Sequence, residues 1–171
     1  SLPGYLLTEA QNINVIKDDT LEVEIYMKQK TRDLLFELTV KEGDPNRISN
    51  ITGTLSGIVG SFDLSSQRIC GEAMNTSFPF ARTNDKVTAH TRLLGTTGLK
   101  QSLRIDLTFT DGSSQTIEND LTDLLKNFND DMPTPMYITG DLLTPIEADM
   151  TATIVGWENG NEENGENIEI Y

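Results

Sequence analysis

Leu103-Arg104-Ile105-Asp106-Leu107-Thr108-Phe109, closed by Asp111-Gly112, decides the fold. Apolar and polar residues alternate without a break, the period of a strand with one buried face. An Asp-Gly dipeptide after such a run is a strong hairpin signal, because both residue types accept the backbone conformation of a tight turn. Gln115-Thr116-Ile117 then reads as the short return strand.

The same period recurs on either side. Leu21, Val23, Ile25 and Met27 alternate with Glu22, Glu24 and Tyr26, and Leu34, Phe36, Leu38 and Val40 follow the Lys28–Arg32 connection. These two runs read as adjacent antiparallel strands, and Gly43-Asp44-Pro45-Asn46 as the turn after them. Ile51-Thr52-Gly53-Thr54-Leu55-Ser56-Gly57-Ile58 reads as a strand whose glycines mark a bulge or a close approach. Phe62-Asp63-Leu64 reads as the start of another short segment, and Ala73 to Phe80 as an extended strand. Val87, Ala89, Thr91 and Leu93 share one face of the next strand, before a Gly95-Thr96-Thr97-Gly98 turn. Met136 to Thr139 and Ala148 to Trp157 supply the last strands, with Leu142 to Pro145 as a loop between them.

One segment has the helical period. Leu121, Leu124, Leu125 and Phe128 fall at i, i+3, i+4 and i+7. Asp120 and Thr122 are candidate N-caps, and Pro133 stops any continuation. The fold class expected is therefore all-β: a two-layer antiparallel β-sandwich of seven to nine strands, with Greek-key-like connections and one short helix near 121–128. The organisation expected is a lead-in over 1–19, the sandwich over 20–157 and a tail over 158–171. The tail is rich in Asn, Gly and Glu, a composition that cannot bury enough surface to offset ordering entropy. Ile168, Ile170 and Tyr171 are its exception, the makings of a short added strand.

Composition narrows the function classes. The chain of 171 residues carries a formal charge of −14, which repels phosphate backbones and argues against nucleic acid. It also argues against docking on an anionic membrane surface. No run reaches the ~20 apolar residues needed to span a bilayer. The chain opens at Ser1 rather than methionine, so any targeting segment is expected to lie outside it. Cys70 is the single cysteine, so no intramolecular disulfide forms.

Catalytic chemistry finds little support. His90, the single histidine, shares a strand face with Thr88 and Arg92, and reads as an exposed strand residue without the nucleophile and orienting acid of a triad. Gly53-Thr54-Leu55-Ser56-Gly57 lacks the nucleophile-elbow spacing. Cys70 reads as a buried or half-buried thiol. One histidine and one cysteine cannot build a zinc cluster. Calcium needs oxygen ligands alone, and Asn127-Phe128-Asn129-Asp130-Asp131 gathers several, with Asp18-Asp19 a weaker signal. The spacing is not that of an EF-hand, and a polar turn after a helix is the reading preferred. Tyr5, Tyr26, Tyr137 and Trp157 are the residues for a sugar-stacking platform, against their commoner place in strand cores and rims. No catalytic, cofactor-binding or metal-binding residue and no cofactor is therefore assigned.

Several segments, taken in order, resemble the fimbrillin-like superfamily, the accessory and anchor proteins of Bacteroides-type pili. They are Met27-Lys28-Gln29-Lys30-Thr31-Arg32, the Leu55-Ser56-Gly57 of the fourth run, Leu93-Leu94-Gly95, Leu103 to Phe109 with Asp111-Gly112, Asp120-Leu121-Thr122, and Ile154-Val155-Gly156-Trp157. The likeness covers roughly 20–157. It implies a transthyretin-like sandwich at the cell surface, in a fimbrium or held at the outer membrane by an N-terminal lipid not in this chain. Members commonly have two sandwich domains, and this length suits one. The partners implied are other fimbrial subunits or surface proteins. The leading function is a non-catalytic anchor, accessory or tip subunit of a fimbria. The alternative is a carbohydrate-binding module of a glycan-uptake system, and a hydrolase on a sandwich scaffold comes third.

Overall fold

The computed structural model describes residues 2–17, 20–146 and 150–160. Nine strands form two stacked sheets, one of five and one of four, and a two-stranded ribbon lies beside them. The ribbon pairs β1 (Leu7–Thr8) with β2 (Lys28–Gln29). The five-stranded sheet holds β3 (Arg32–Glu42), β6 (Ala81–Thr83), β7 (Lys86–Leu93), β10 (Met136–Leu143) and β11 (Thr153–Asn159), in the order β11-β10-β3-β7-β6. The four-stranded sheet holds β4 (Ile48–Asp63), β5 (Arg68–Pro79), β8 (Ser102–Phe109) and β9 (Ser114–Asp120), in the order β5-β4-β8-β9. Hairpins such as β4–β5, β6–β7 and β8–β9 alternate with crossings from one sheet to the other, as at Pro45–Arg47 and Phe80.

The core follows from the period-two patterns. Leu34, Phe36 and Leu38 of β3 face Leu103, Ile105 and Leu107 of β8 across the interior, and each is at most 1% exposed. Register fixes the layers: Ile51 lies opposite Leu107, Gly53 opposite Ile105 and Leu55 opposite Leu103. The Asp111-Gly112 hairpin closes as the sequence predicts, with the Gly112 amide donating to the Phe109 carbonyl at 3.0 Å. Gly57 makes the bulge expected of it. Its φ is +71°, and a Cβ there would stand 2.5 Å from the Lys100 carbonyl oxygen, so both conformation and space demand glycine. Leu107 is fully buried, and Leu107→Ala is expected to cost about 3 kcal/mol, the middle of the range for such truncations. Urea denaturation measures it, and a loss well below 1 kcal/mol would be incompatible with this core.

Five expectations need correction. Leu21 to Met27 is not a strand: Leu21, Val23, Ile25 and Met27 are 57%, 37%, 47% and 62% exposed. The reason is that β3, their expected partner, has both edges taken, by β7 and by β10. Second, the sheets are not wholly antiparallel, because β10 runs parallel to β3. Third, the apolar stripe at 121–128 is present without a regular helix. Leu121, Leu125 and Phe128 are fully buried, but the chain there is a succession of turns. One α-type bond, Leu125 amide to Leu121 carbonyl at 3.0 Å, is followed by tighter i→i−3 bonds from Phe128 to Leu125 and from Asp130 to Asn127. Fourth, Phe62 and Asp63 end β4 rather than beginning a new segment. Fifth, Leu142 and Leu143 belong to β10 rather than to a loop. The start of the expected last strand, Ala148 and Asp149, and the added strand at 168–171 lie outside the described residues.

Candidate functional site

Three consecutive residues at the start of β3 organise one end of the sandwich. Thr31, Arg32 and Asp33 are 7%, 6% and 7% exposed, unusual for such polar side chains. Strand alternation sends them to different tasks. Arg32 has the inward parity of Leu34 and Phe36, and Asp33 the outward parity of Leu35.

Arg32 reaches the segment that carries the chain from β9 to β10. Its Nε donates to the Thr134 carbonyl at 2.6 Å, and its Nη1 donates to the carbonyls of Asn127 and Phe128 at 3.1 and 2.9 Å. The guanidinium lies 5.6 Å from the centre of the Phe128 ring. Burial lowers the Arg32 pKa, with Asp131 and Asp130 opposing that shift. The same clamp explains the parallel pair. The 121–135 segment returns to the end where β3 begins, so β10 starts beside it, with Met136 opposite Leu34.

Asp33 gathers the outward cluster. Its Oδ1 accepts from Arg92 Nε at 2.8 Å and lies 2.9 Å from His90 Nε2, and its Oδ2 accepts from the Tyr5 hydroxyl at 2.8 Å. The Arg92 guanidinium stacks on the Tyr5 ring at 3.6 Å and donates to the Pro3 carbonyl at 2.7 Å. Thr31 adds an acceptor for the Leu6 amide at 3.3 Å. The Pro3–Leu6 segment is thereby fastened over the outer face of β3 and β7. Burial pushes the Asp33 carboxyl upward, but hydrogen bonds from His90, Arg92 and Tyr5 outweigh it and hold its pKa below the ordinary value. A carboxylate held this way gives stability that is complete above its unfolded pKa of ~4 and is lost as pH falls through the lower folded value. Thermal melts from about pH 6 to pH 3 are expected to show a falling Tm, and Asp33→Asn to show a lower Tm near pH 6 with a shallower fall below ~4. An unchanged slope in the variant would remove Asp33 from the acid response.

The residues singled out from sequence separate here. His90 is half-buried and paired with Asp33 rather than exposed and alone. Cys70 is exposed, not buried. It sits on β5, the edge strand of its sheet, whose buried side chain is Phe78 alone. Asn127 to Asp131 is engaged as a turn. The Asn127 and Phe128 carbonyls face the Arg32 cation, and Asn129 exchanges two hydrogen bonds of 2.9 Å with the backbone of Thr96. A cation would compete there with a guanidinium already in place. Among the described residues no cluster of three or more His, Cys, Asp or Glu side chains has metal-site geometry; Asp18 and Asp19 lie outside them. The four aromatics do not converge. Tyr5 stacks on Arg92, Tyr26 is 72% exposed beyond the sheets, Tyr137 lies on the outer face of β10, and Trp157 packs against the core. The Trp157 indole donates to Asn119 Oδ1 at 3.1 Å and ties β11 to β9 across the open side of the sandwich.

An open cleft of about 890 Å³ flanks this end of the molecule. The β1–β2 ribbon with Met27 and Lys30 forms one wall, the tip of the β4–β5 hairpin the other, and residues 129–133 the back. Sequence reasoning missed it, because its walls come from segments about forty and a hundred positions apart. The Thr31-Arg32 pair was visible as a motif, but its span to residues 127–134 was not.

Nine strands in two layers, with one parallel pair and repeated crossings of the chain between the layers, define a β-sandwich domain. The chain belongs to the family of fimbrillin-A associated anchor proteins Mfa1 and Mfa2, whose model matches residues 3–163. Solved structures share the fold. A "putative adhesin" from Bacteroides ovatus ATCC 8483 is 13% identical with a TM-score of 0.57, over 82% of this chain and 53% of that one. A "putative cell adhesion protein" from Bacteroides fragilis NCTC 9343 is 16% identical with a TM-score of 0.50, over 84% and 49%. The fimbrial anchor protein Mfa2 from Porphyromonas gingivalis is 15% identical with a TM-score of 0.52, over 78% and 48%. The chain thus spans about half the length of these structures. No curated protein matched.

Proposed function

We propose that the chain is a non-catalytic structural and interaction subunit of a bacterial surface fimbria, acting as anchor, accessory or tip component. The observation that carries this reading is the family match over residues 3–163. Its partners on this reading are other fimbrial subunits, and its place is the cell surface, at the outer membrane through an N-terminal lipid on a residue outside this sequence. The sandwich is of the transthyretin-like kind that the resemblance implies. Deleting the encoding gene should abolish or detach surface fimbriae in electron micrographs, and a plasmid copy should restore them. His90→Ala and Cys70→Ser copies should restore them equally, since neither residue has a catalytic role on this reading. Fimbriae unchanged in number, attachment and subunit composition in the deletion strain would overturn the proposal.

The domain division proposed with it is a lead-in over 1–19, the sandwich from 20 onward and then the acidic tail, with the last boundary moved from Trp157 to Gly160. Because β11 runs to Asn159 and the Gly160 amide bonds the Tyr137 carbonyl at 3.0 Å, the informative truncation is after Gly160. It is expected to change Tm by less than ~2 °C. A much larger drop in paired melts would extend the folded unit into the tail.

A further inference from the structure

The cleft beside the β1–β2 ribbon differs in charge from the rest of the molecule. The chain carries −14, yet the cleft is lined by Lys28, Lys30 and Arg68 against a single carboxylate, Asp130. The cations occupy both walls, with Lys28 and Lys30 on the ribbon side and Arg68 at the hairpin tip. Between them polar side chains, Gln29, Gln67 and Asn129, share the surface with an apolar part made by Phe62, Ile69 and Met132. Lys30 Nζ stands 5.4 Å from the centre of the Phe62 ring, so the cation and the apolar surface form one continuous lining. Lys28 is partnered by Glu9 at 3.0 Å. Among the described residues Lys30 and Arg68 have no salt bridge.

We infer that this cleft docks an acidic, apolar-rich peptide segment of a partner protein. Lys30 on one wall and Arg68 on the other call for two carboxylates some distance apart, which a peptide supplies and a fatty acid, with one, does not. The apolar lining calls for aliphatic or aromatic side chains, which an acidic polysaccharide lacks. A concave site of this volume suits an inserted segment rather than a flat bilayer. Complementary charge at such a site sets orientation and on-rate, while the buried apolar contact carries affinity. Methionine at the back lets the lining adapt to the inserted side chains. The inference rests on reading the chain as a protein-binding subunit.

The test is fluorescence anisotropy on the full chain with two labelled probes: a short peptide alternating glutamate with leucine, and its twin with lysine in place of glutamate. The acidic peptide is expected to bind saturably, at least ~10-fold tighter than its twin, and more weakly as salt rises. Lys30→Glu combined with Arg68→Glu should abolish the preference while leaving the thermal melt unchanged. Arg68→Ala alone should reduce it, giving a milder variant in case the double reversal unfolds. Equal binding of the two peptides, binding that survives both variants, or displacement of the acidic peptide by laurate would each overturn the inference. A flat result here leaves the fimbrial reading standing, whereas fimbriae unchanged in number, attachment and subunit composition in the deletion strain would sink that reading whatever the peptides do.

Discussion

Arg32→Ala is expected to lower the unfolding free energy by about 3–5 kcal/mol, through acceptors left without a donor rather than through a broken ion pair. The side chain is 6% exposed and satisfies the carbonyls of Asn127, Phe128 and Thr134. Hydrogen bonds from a charged donor each contribute ~1.5–3 kcal/mol, and a buried acceptor stripped of its partner costs ~1–3. Neighbouring effects overlap, so the sum is not simply additive. Two companion variants identify the cause. Arg32→Met keeps the length and apolar contact over the Phe128 ring but donates nothing, so it should remain strongly destabilised. Arg32→Lys keeps the charge but loses the planar fork that serves several carbonyls at once, so it should recover less than half of the loss. Urea melts at neutral pH measure all three. A methionine variant as stable as the parent would show that the 121–135 segment is held by its apolar stripe alone.

That segment shows where sequence reasoning succeeds and where it stops. The spacing of Leu121, Leu125 and Phe128 reports which side chains are buried, and they are buried. It does not report that Arg32 draws the Asn127 and Phe128 carbonyls toward itself, because a side chain about a hundred positions away leaves no trace in local periodicity. The hairpin at Asp111-Gly112, the shared face of Val87, Ala89, Thr91 and Leu93, and the bulge at Gly57 are all local in origin, and all were legible. Leu21 to Met27 carries an equally good alternation and is not a strand. Alternation states that a face could be buried, whereas pairing needs a free edge, and β3 has none. Cys70 illustrates the converse. Its residue type predicts burial, but its strand lies at a sheet edge and is mostly exposed. The candidate site was less legible than the fold for the same reason. Asp33, His90 and Arg92 are cross-strand neighbours that meet a tyrosine from far upstream, and the cleft is built by four separate stretches.

Phe36→Ala is expected to cost about 3–5 kcal/mol, the range for removing a buried phenylalanine. Phe36 is 1% exposed and belongs to β3, in the five-stranded sheet. Its ring stacks on Phe78 of β5, in the opposite sheet, with centroids 5.7 Å apart and planes at 11°. Phe80, where the chain crosses back, completes the cluster at 6.0 Å from Phe36 and 5.7 Å from Phe78. The three rings therefore join the two layers at the edge where β5 is otherwise exposed. Relief by collapse is limited, because Phe78 and Phe80 already rest on Gly53, where a Cβ would stand 2.8 Å from each ring. A void left by Phe36 would thus persist and carry its full cavity term. Phe36→Leu keeps much of the volume and should lose less, the remainder including ~0.5–1.5 kcal/mol of ring–ring interaction. Gly53→Ala attacks the same cluster from below and should cost ~1–3 kcal/mol by overpacking. Because both sites pack on the Phe78 and Phe80 rings, Phe36→Ala combined with Gly53→Ala should be less destabilising than the sum of the two, the rings shifting into the void to admit the added methyl group. Guanidinium melts of the two single variants and the double variant measure that coupling, and strict additivity would show that the rings do not share one packed space.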